Sequence, residues 1–422
     1  MKFDIVIVGG GAGGLELASR LGRSVGPDTG RSVLLVDRTP THIWKPTLHE
    51  VAAGTLDVGQ EALSYPDLAR RNHFAYALGS LAAIDATHRH ITLAAAADEH
   101  GDEVLPRREL AYGELVLALG SGSSFFGTPG AEHAHVLENT ADAERFHRAL
   151  LIAFTRAAYT EFRRVRLCVV GAGATGVELC AELREAHREI LQSVAPKNHF
   201  EFEITLIEAD DRVLSALSPD LSAKAAAALK RDGVRVRTGT RVQSLRAGAV
   251  LTDQGTVEAD LIVWAAGIEA ASANAGYGLT VNKRHQFVVD DRLRTSAPQV
   301  RALGDCAACP WVDGCTVPAR AQAASQQATY LAKVLQENGG EAPPFNYVDR
   351  GSLVSLGEHR AVGTLAGLIT RHDWLVGGLL ARAMYMSLHL DHHRVVLGLI
   401  PTAVLALARL LRQRVSGRVK MH

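Results

Sequence analysis

Cysteine is scarce. Five residues in 422, an odd number spread along a long chain, exclude a disulfide framework and fit a reducing compartment. An excess of one charge sign is also absent, since Lys plus Arg and Asp plus Glu number 45 each. No global charge therefore points to nucleic acid. Long hydrophobic runs are missing as well. The longest uncharged run of the C-terminal region, Val395 to Ala408, has 14 residues and contains Pro401, whereas a bilayer span needs about 20. Met1 and Lys2 lead directly into a glycine-interrupted apolar strand and not into a leader, so the body of the protein is expected in the cytoplasm. What is present is ordinary for a folded protein, 47% apolar and 21% charged, at a length that suits two or three domains.

Glycine carries the first positive signal. Ile5 to Val8 form an apolar, β-branched run expected as a buried parallel strand. Gly9, Gly11 and Gly14 then fit GxGxxG, and Leu15 to Leu21 continue as a helix. The first glycine allows the tight turn, the second lets backbone approach a pyrophosphate, and the third lets helix pack on strand. Asp37 ends the next strand, where a carboxylate meets a ribose hydroxyl. The whole device recurs in RLCVVGAGATGVELCAEL, with Gly171, Gly173 and Gly176 as the turn and Glu208 ending the strand Ile204 to Ile207. Its helix is prolonged, so the acid arrives later than the usual spacing.

Two such devices in one chain suggest two facing nucleotides, a resident flavin and a nicotinamide that exchanges, with hydride passing between their rings. Glu208, followed by Asp210 and Asp211, would accept from a free ribose 2′-hydroxyl and repel a 2′-phosphate, which favours NADH over NADPH. The stretch Thr41 to Asp57 contains no cysteine, which excludes a redox dithiol there. Cys306, Cys309 and Cys315 form CxxC plus one, but with no second pair and no clustered histidine they read as a tolerated loop and not as a metal site.

These features resemble the two-dinucleotide flavoproteins, whose GD after a late strand corresponds to Gly304 and Asp305. HIWKPTLHEVAAGTLD, VPARAQAASQQATYLAKVL and GSLVSLG sharpen the resemblance to the bacterial type II NADH:quinone oxidoreductases, across essentially the whole chain. The resemblance implies FAD at Gly9, Gly11, Ala12, Gly13, Gly14, Asp37, Lys45, Gly304, Asp305 and Ala324. It implies NADH at Gly171, Gly173, Gly176, Glu208, Ala266 and Gly267, a catalytic Glu178 near both, and quinone at the AQxxxQ pair Gln322 and Gln326. Ser325 departs from the histidine found in several relatives. Independently of the resemblance, Gln322 and Gln326 are four apart on an expected helix, so their amides share one face. Glu178 in a first helical turn is also favoured by the helix dipole alone.

The C-terminal region hides a charge asymmetry. From Thr370 onward eight basic side chains stand against Asp373 and Asp391, a surplus of six. A helix is expected after Pro401, with Thr402, Arg409, Gln413 and Ser416 on one side and Val404, Leu407, Leu411 and Val415 on the other. That pattern suits a helix lying in the headgroup plane with its basic side toward anionic lipid. Trp374 to Leu390 is a second candidate helix, and a homodimer would use the same apolar stripe.

The expected fold class is α/β, with two Rossmann-like domains, one inserted in the other, and a membrane-docking tail. The expected boundaries are 1–120 and 285–340 for FAD, 121–284 for NADH and 341–422 for the tail. The expected enzyme is peripheral on the cytoplasmic side of the cell membrane, passing two electrons from NADH through FAD to a membrane quinone without ion pumping. A soluble NADH-dependent carrier reductase and an NADH-sensing flavoprotein are the alternatives.

Overall fold

A computed structural model describes residues 2–25, 30–98, 100–337, 342–357, 360–365 and 373–415. Two sheets repeat one plan. In the first, parallel strands run in the order Ala75–Leu78, Val33–Asp37, Lys2–Val8 and Arg108–Leu117. In the second the order is Val234–Arg237, Glu201–Ile207, Arg164–Val170 and Leu261–Trp264, again all parallel. The strand that enters the glycine turn is interior in both. Ile5, Val6 and Ile7 are fully buried, as is Val169, which is why these strands are apolar on both faces.

Between its third and last parallel strands each unit carries an antiparallel insert. The first unit has Leu81–Asp85 with His90–Leu93. The second has a meander of Val242–Arg246, Ala249–Thr252 and Gly255–Glu258. After the second unit the chain returns, and Val300–Ala302 adds in parallel beside Arg108–Leu117 of the first sheet. The long helix Ala321–Gln336 then packs along the first-turn helix Ala12–Ser24.

The C-terminal region forms an antiparallel sheet of Gly351–Ser355, Arg360–Leu365 and Asp373–Gly377, followed by helices Gly378–Leu397 and Leu399–Val415. The expected helix from Trp374 therefore begins four residues later. Trp374, Leu375 and Val376 are strand residues, in keeping with aromatic and β-branched preference. Pro401 sits in the first turn of the last helix and does not begin it.

The first of these helices ends on the first unit. Arg23 Nη2 donates to the Val395 carbonyl at 2.7 Å, Asn72 Nδ2 to Val396 at 2.9 Å and Arg71 Nη1 to Leu397 at 3.1 Å. These donors satisfy the carbonyls that a helix end leaves unpaired, two of them with the charge that the dipole favours.

Candidate active site

Both glycine turns are closed by contacts that no side chain permits. A Cβ at Gly14 would overlap the Gly9 carbonyl oxygen, and one at Gly176 would overlap that of Gly171. Gly9 and Gly171 also have positive φ, +105° and +101°, which only glycine adopts at low cost. Gly11 and Gly173 differ. A Cβ there would meet no described atom within 4 Å, so backbone faces open space at the start of each helix. Neither helix start has a side-chain cap. Free amides, a dipole and room for a diphosphate coincide, and the two turns fit FAD and NADH in that respect.

An acid holds each turn from the neighbouring strand. Asp37 Oδ2 accepts from the Gly10 amide at 2.6 Å, and Glu208 Oε2 accepts from the Ala172 amide at 2.6 Å. Their other oxygens accept from Thr39 and Asp210. The first turn also gathers residues far along the chain. Gly13 lies against Leu303 and Ala324, and the Gly304 amide donates to the buried Gln327 Oε1 at 2.7 Å. Lys45 Nζ donates to the Ser121 carbonyl, and Ser121 Oγ to Asp305 Oδ2, both at 2.8 Å. At the second turn, Gly171 closes on Ala266, and Gly267 lies under the Phe126 ring. Gly304 and Ala324 thus gather at the first turn, with Lys45 linked through Ser121 to Asp305, and Ala266 stands at the second turn with Gly267 next in the chain.

Glu178 is buried on the second-turn helix. Its Oε1 accepts from the Ser355 amide at 2.9 Å, and Oε2 stands 3.7 Å from His49 Nδ1. Burial pushes its carboxyl up to about 7, against the opposing pull of His49, a value suited to gaining and losing a proton near neutrality.

Gln322 and Gln326 do share one face of their helix, and that face is occupied by backbone. Gln322 donates to the Gly351 carbonyl at 2.8 Å and accepts from the Arg350 amide at 3.1 Å. Gln326 brackets Val348, donating to its carbonyl at 2.9 Å and accepting from its amide at 3.0 Å. The pair fastens the chain segment that leads into the C-terminal sheet. Such a use of glutamine is invisible in spacing, because the partner lies more than twenty residues away.

The last helix is oriented opposite to the expectation. Arg409, placed on the lipid side by the sequence pattern, turns to the body and pairs with Glu50 at 3.3 Å and Glu61 at 3.8 Å. Thr402 is buried, while Val404, Leu407 and Leu411 are exposed together with Leu399 and Ile400, the last 76% exposed. Two acids on the body decide this, since they offer Arg409 a partner that a helical wheel does not show. Ser416, Arg418 and Lys420 lie outside the described residues. Among the described residues, no helix is long and apolar enough to cross a membrane.

One buried acid escaped the sequence reading. Glu16 follows Gly14 by two residues, as Glu178 follows Gly176. It too is buried, and its carboxyl is pushed up to about 7, chiefly by that burial. The repeat GGLEL against TGVEL carried the signal.

Comparison with known proteins agrees with this geometry. Residues 3–328 match the model of the pyridine nucleotide-disulphide oxidoreductase family. A type II NADH:quinone oxidoreductase of Haemophilus influenzae is 37% identical over 99% of this chain and 100% of its own length. One from Mycobacterium tuberculosis is 30% identical over 89% of this chain and 83% of its own. In fold, the structure of NDH2 from Plasmodium falciparum in complex with NADH covers 100% of both chains at a TM-score of 0.84 and 18% identity. With two glycine turns of one design and relatives alike over nearly the full length, the chain belongs to the pyridine nucleotide-disulphide oxidoreductases and, among them, to the type II NADH:quinone oxidoreductases.

Proposed function

We propose that this chain oxidises NADH through FAD and passes two electrons to a membrane quinone while docked on the bilayer by its C-terminal helices. The observation that carries the reading is the pair of glycine turns, each with an uncapped helix start, open space above its middle glycine and an acid on the turn amide. FAD, when bound, supplies hydride acceptance and two-electron delivery. Gly9, Gly11, Ala12, Gly13 and Gly14 would hold its diphosphate, with Asp37 toward the ribose. Lys45, Gly304, Asp305 and Ala324 would line the remainder of its site. Gly171, Gly173, Gly176, Ala266 and Gly267 would seat NADH, with Glu208 accepting from the ribose 2′-hydroxyl. Residues 1–120 and 285–340 form the FAD unit in this reading, and 121–284 the NADH unit.

Glu178 holds or releases a proton beside the nicotinamide unit, as its buried carboxyl suits. Gln322 and Gln326 shape the quinone slot by fixing Val348 to Gly351 against the helix, and their amide edges border it. Region 341–422 docks through the exposed stripe of Leu399, Ile400, Val404, Leu407 and Leu411, aided by basic residues near anionic headgroups. A homodimer would cover the same stripe. No spanning helix is required, and the reaction moves no ion across the membrane.

The test measures flavin content, then anaerobic flavin reduction by NADH, then reoxidation by a short-chain quinone. A flavin-free protein, or one that NADH reduces and quinone leaves reduced, would overturn the reading. Sedimentation with vesicles tests the docking separately. A protein truncated after Asp391 that binds anionic vesicles as well as the full chain would remove the tail from that role.

A further inference from the structure

A buried chain of hydrogen bonds joins the C-terminal helix to the first glycine turn. Ser325 Oγ lies 2.7 Å from Glu16 Oε2, and Glu16 Oε1 lies 2.9 Å from His392 Nδ1. His392 Nε2 lies 3.0 Å from His42 Nε2, and His42 Nδ1 lies 3.0 Å from the Gly10 carbonyl oxygen. Tyr65 Oη donates to the same carbonyl at 2.6 Å. The Trp44 ring covers His392 at 4.3 Å between centroids. Glu16, His42 and His392 come from three separate parts of the chain and are all buried.

The far end fixes the protons. A carbonyl oxygen only accepts, so His42 must carry its hydrogen on Nδ1, and a neutral ring then leaves Nε2 as acceptor. His392 must therefore donate from Nε2, which leaves its Nδ1 as acceptor in turn. Glu16 Oε1 faces that acceptor, so the contact needs a hydrogen on the carboxyl, while Oε2 accepts from Ser325. A carboxylate facing a neutral Nδ1 would set two acceptors together at hydrogen-bond distance. An ion pair made by moving the proton to His392 would bury two charges out of water, where desolvation opposes both.

We propose that Glu16, His392 and His42 are positioning residues for the FAD diphosphate turn, a latch in which Glu16 is an un-ionised acid whose single proton seats the C-terminal helix against Gly10. The proposal rests on the reading that FAD occupies the first turn. The backbone at Gly10 is part of the cradle, so the seat of residues 378–397 becomes a determinant of how firmly flavin is held. The Arg23, Asn72 and Arg71 bonds to the helix end anchor the same helix independently of Glu16.

The charges around the latch set its pH behaviour. Glu16 faces Arg20 on its own helix and Asp391 and Arg394 on the C-terminal helix, and burial outweighs them. His42 faces His393 and Asp37 as well as His392. His392 faces Asp391, while His389 and His393 lie beside it with Arg409 near both. Burial holds His42 and His392 neutral, pushed down to about 3. For the histidines, a depressed value means that their contribution is present above the ordinary range and lost as pH falls toward 3. Glu16 has the opposite sign. Its carboxyl is raised from 4.5 to about 7, so its contribution is complete below 4.5, declines as pH rises and is gone above about 7.

Glu16→Gln isolates the effect of the Glu16 proton, because an amide keeps the donor toward His392 and the acceptor toward Ser325 and cannot ionise. The histidines are common to both proteins and cancel. Using the full-length holoprotein, the opening of residues 378–397 is read by limited proteolysis and flavin retention by the rate of FAD release. The grip of the wild type relative to Glu16→Gln should fall about tenfold per pH unit between 4.5 and 7 and then level off. His392→Ala should speed FAD release tenfold or more. In the infrared, a protonated-carboxyl band should be present at neutral pH and lost in Glu16→Gln, with Glu178→Gln run beside it to identify the second buried acid.

Parallel opening of wild type and Glu16→Gln across that range would overturn the latch. So would Glu16→Gln opening as readily as Glu16→Ala at every pH, which would signify an ion pair. FAD release unchanged by His392→Ala would sever the latch from the turn. Gly14→Ala is the control on the cofactor reading: if that variant retains flavin, the first turn does not hold FAD, and the proteolysis and infrared results still decide the proton on Glu16.

Discussion

The two glycine turns share strand order, closing contacts and an acid on the turn amide, and they diverge in what covers the buried glutamate two residues past the last glycine. Glu16 meets a histidine from the C-terminal helix at hydrogen-bond distance. Glu178 meets the backbone of Ser355 from the C-terminal sheet and stands farther from His49. Both acids meet the C-terminal region, Glu16 at His392 and Glu178 at Ser355, and His49 adds to the cover of Glu178 alone. One repeat has thus been given two kinds of partner: an imidazole at hydrogen-bond distance at the first turn, and an amide plus a looser imidazole at the second. The looser arrangement is the one suited to proton exchange, because less must break when Glu178 ionises.

The sharpest way to break this comparison is to close each turn by a methyl group. Gly14→Ala and Gly176→Ala both drive a Cβ into a carbonyl oxygen, at a cost of about 1–3 kcal/mol or more. Gly14→Ala is expected to abolish flavin binding. Gly176→Ala should keep flavin and lose NADH, as flavin absorbance and an NADH titration of the two purified variants will register. Loss of flavin in both would mean that the turns are not independent sites.

The next largest effect belongs to Glu178. Glu178→Gln should lower kcat roughly a hundredfold, at the low end of general acid–base contributions. It should also remove an inflection near pH 7 from the rate profile, since burial pushes the Glu178 carboxyl up to about 7; Glu16, raised alike, lies at the other turn and stays in that variant. A variant that keeps both rate and inflection would assign Glu178 to packing alone.

Gln322→Ala and Gln326→Ala should each slow quinone-driven flavin reoxidation about tenfold, because each releases backbone that its amide brackets, at about 1 kcal/mol per lost bond. Stopped-flow should find reduction by NADH nearly intact. If reduction slows and reoxidation does not, the glutamines belong to the nicotinamide half.

The smallest effect concerns Glu208 against Asp37, the two acids on the turn amides. Glu208→Gln should reduce the preference for NADH over NADPH several-fold, read as the ratio of the two kcat/KM values, while flavin content stays constant. An unchanged ratio would place nicotinamide selection at Asp210 or Asp211.

The apolar strand, glycine turn and helix were legible because their requirements are local: a positive φ, a close approach, a buried apolar run. The same holds for Asp37 and Glu208, which end strands at the turn. Glu16 was legible in principle, since the repeat GGLEL against TGVEL sets it beside Glu178, yet its meaning depended on a histidine 376 residues away. The orientation of the last helix was not legible. Its wheel shows an apolar and a basic side, and only Glu50 and Glu61 decide that Arg409 turns inward and leaves the leucines exposed.

The sequence by itself determined two nucleotide folds and an amphipathic, non-spanning tail, because each follows from period, glycine position and length. Tertiary structure alone decided that the amides of Gln322 and Gln326 grip Val348 to Gly351, and that His392 closes on Glu16. Those contacts join segments with no fixed spacing between them, and a hydrogen bond between distant side chains has no period to read.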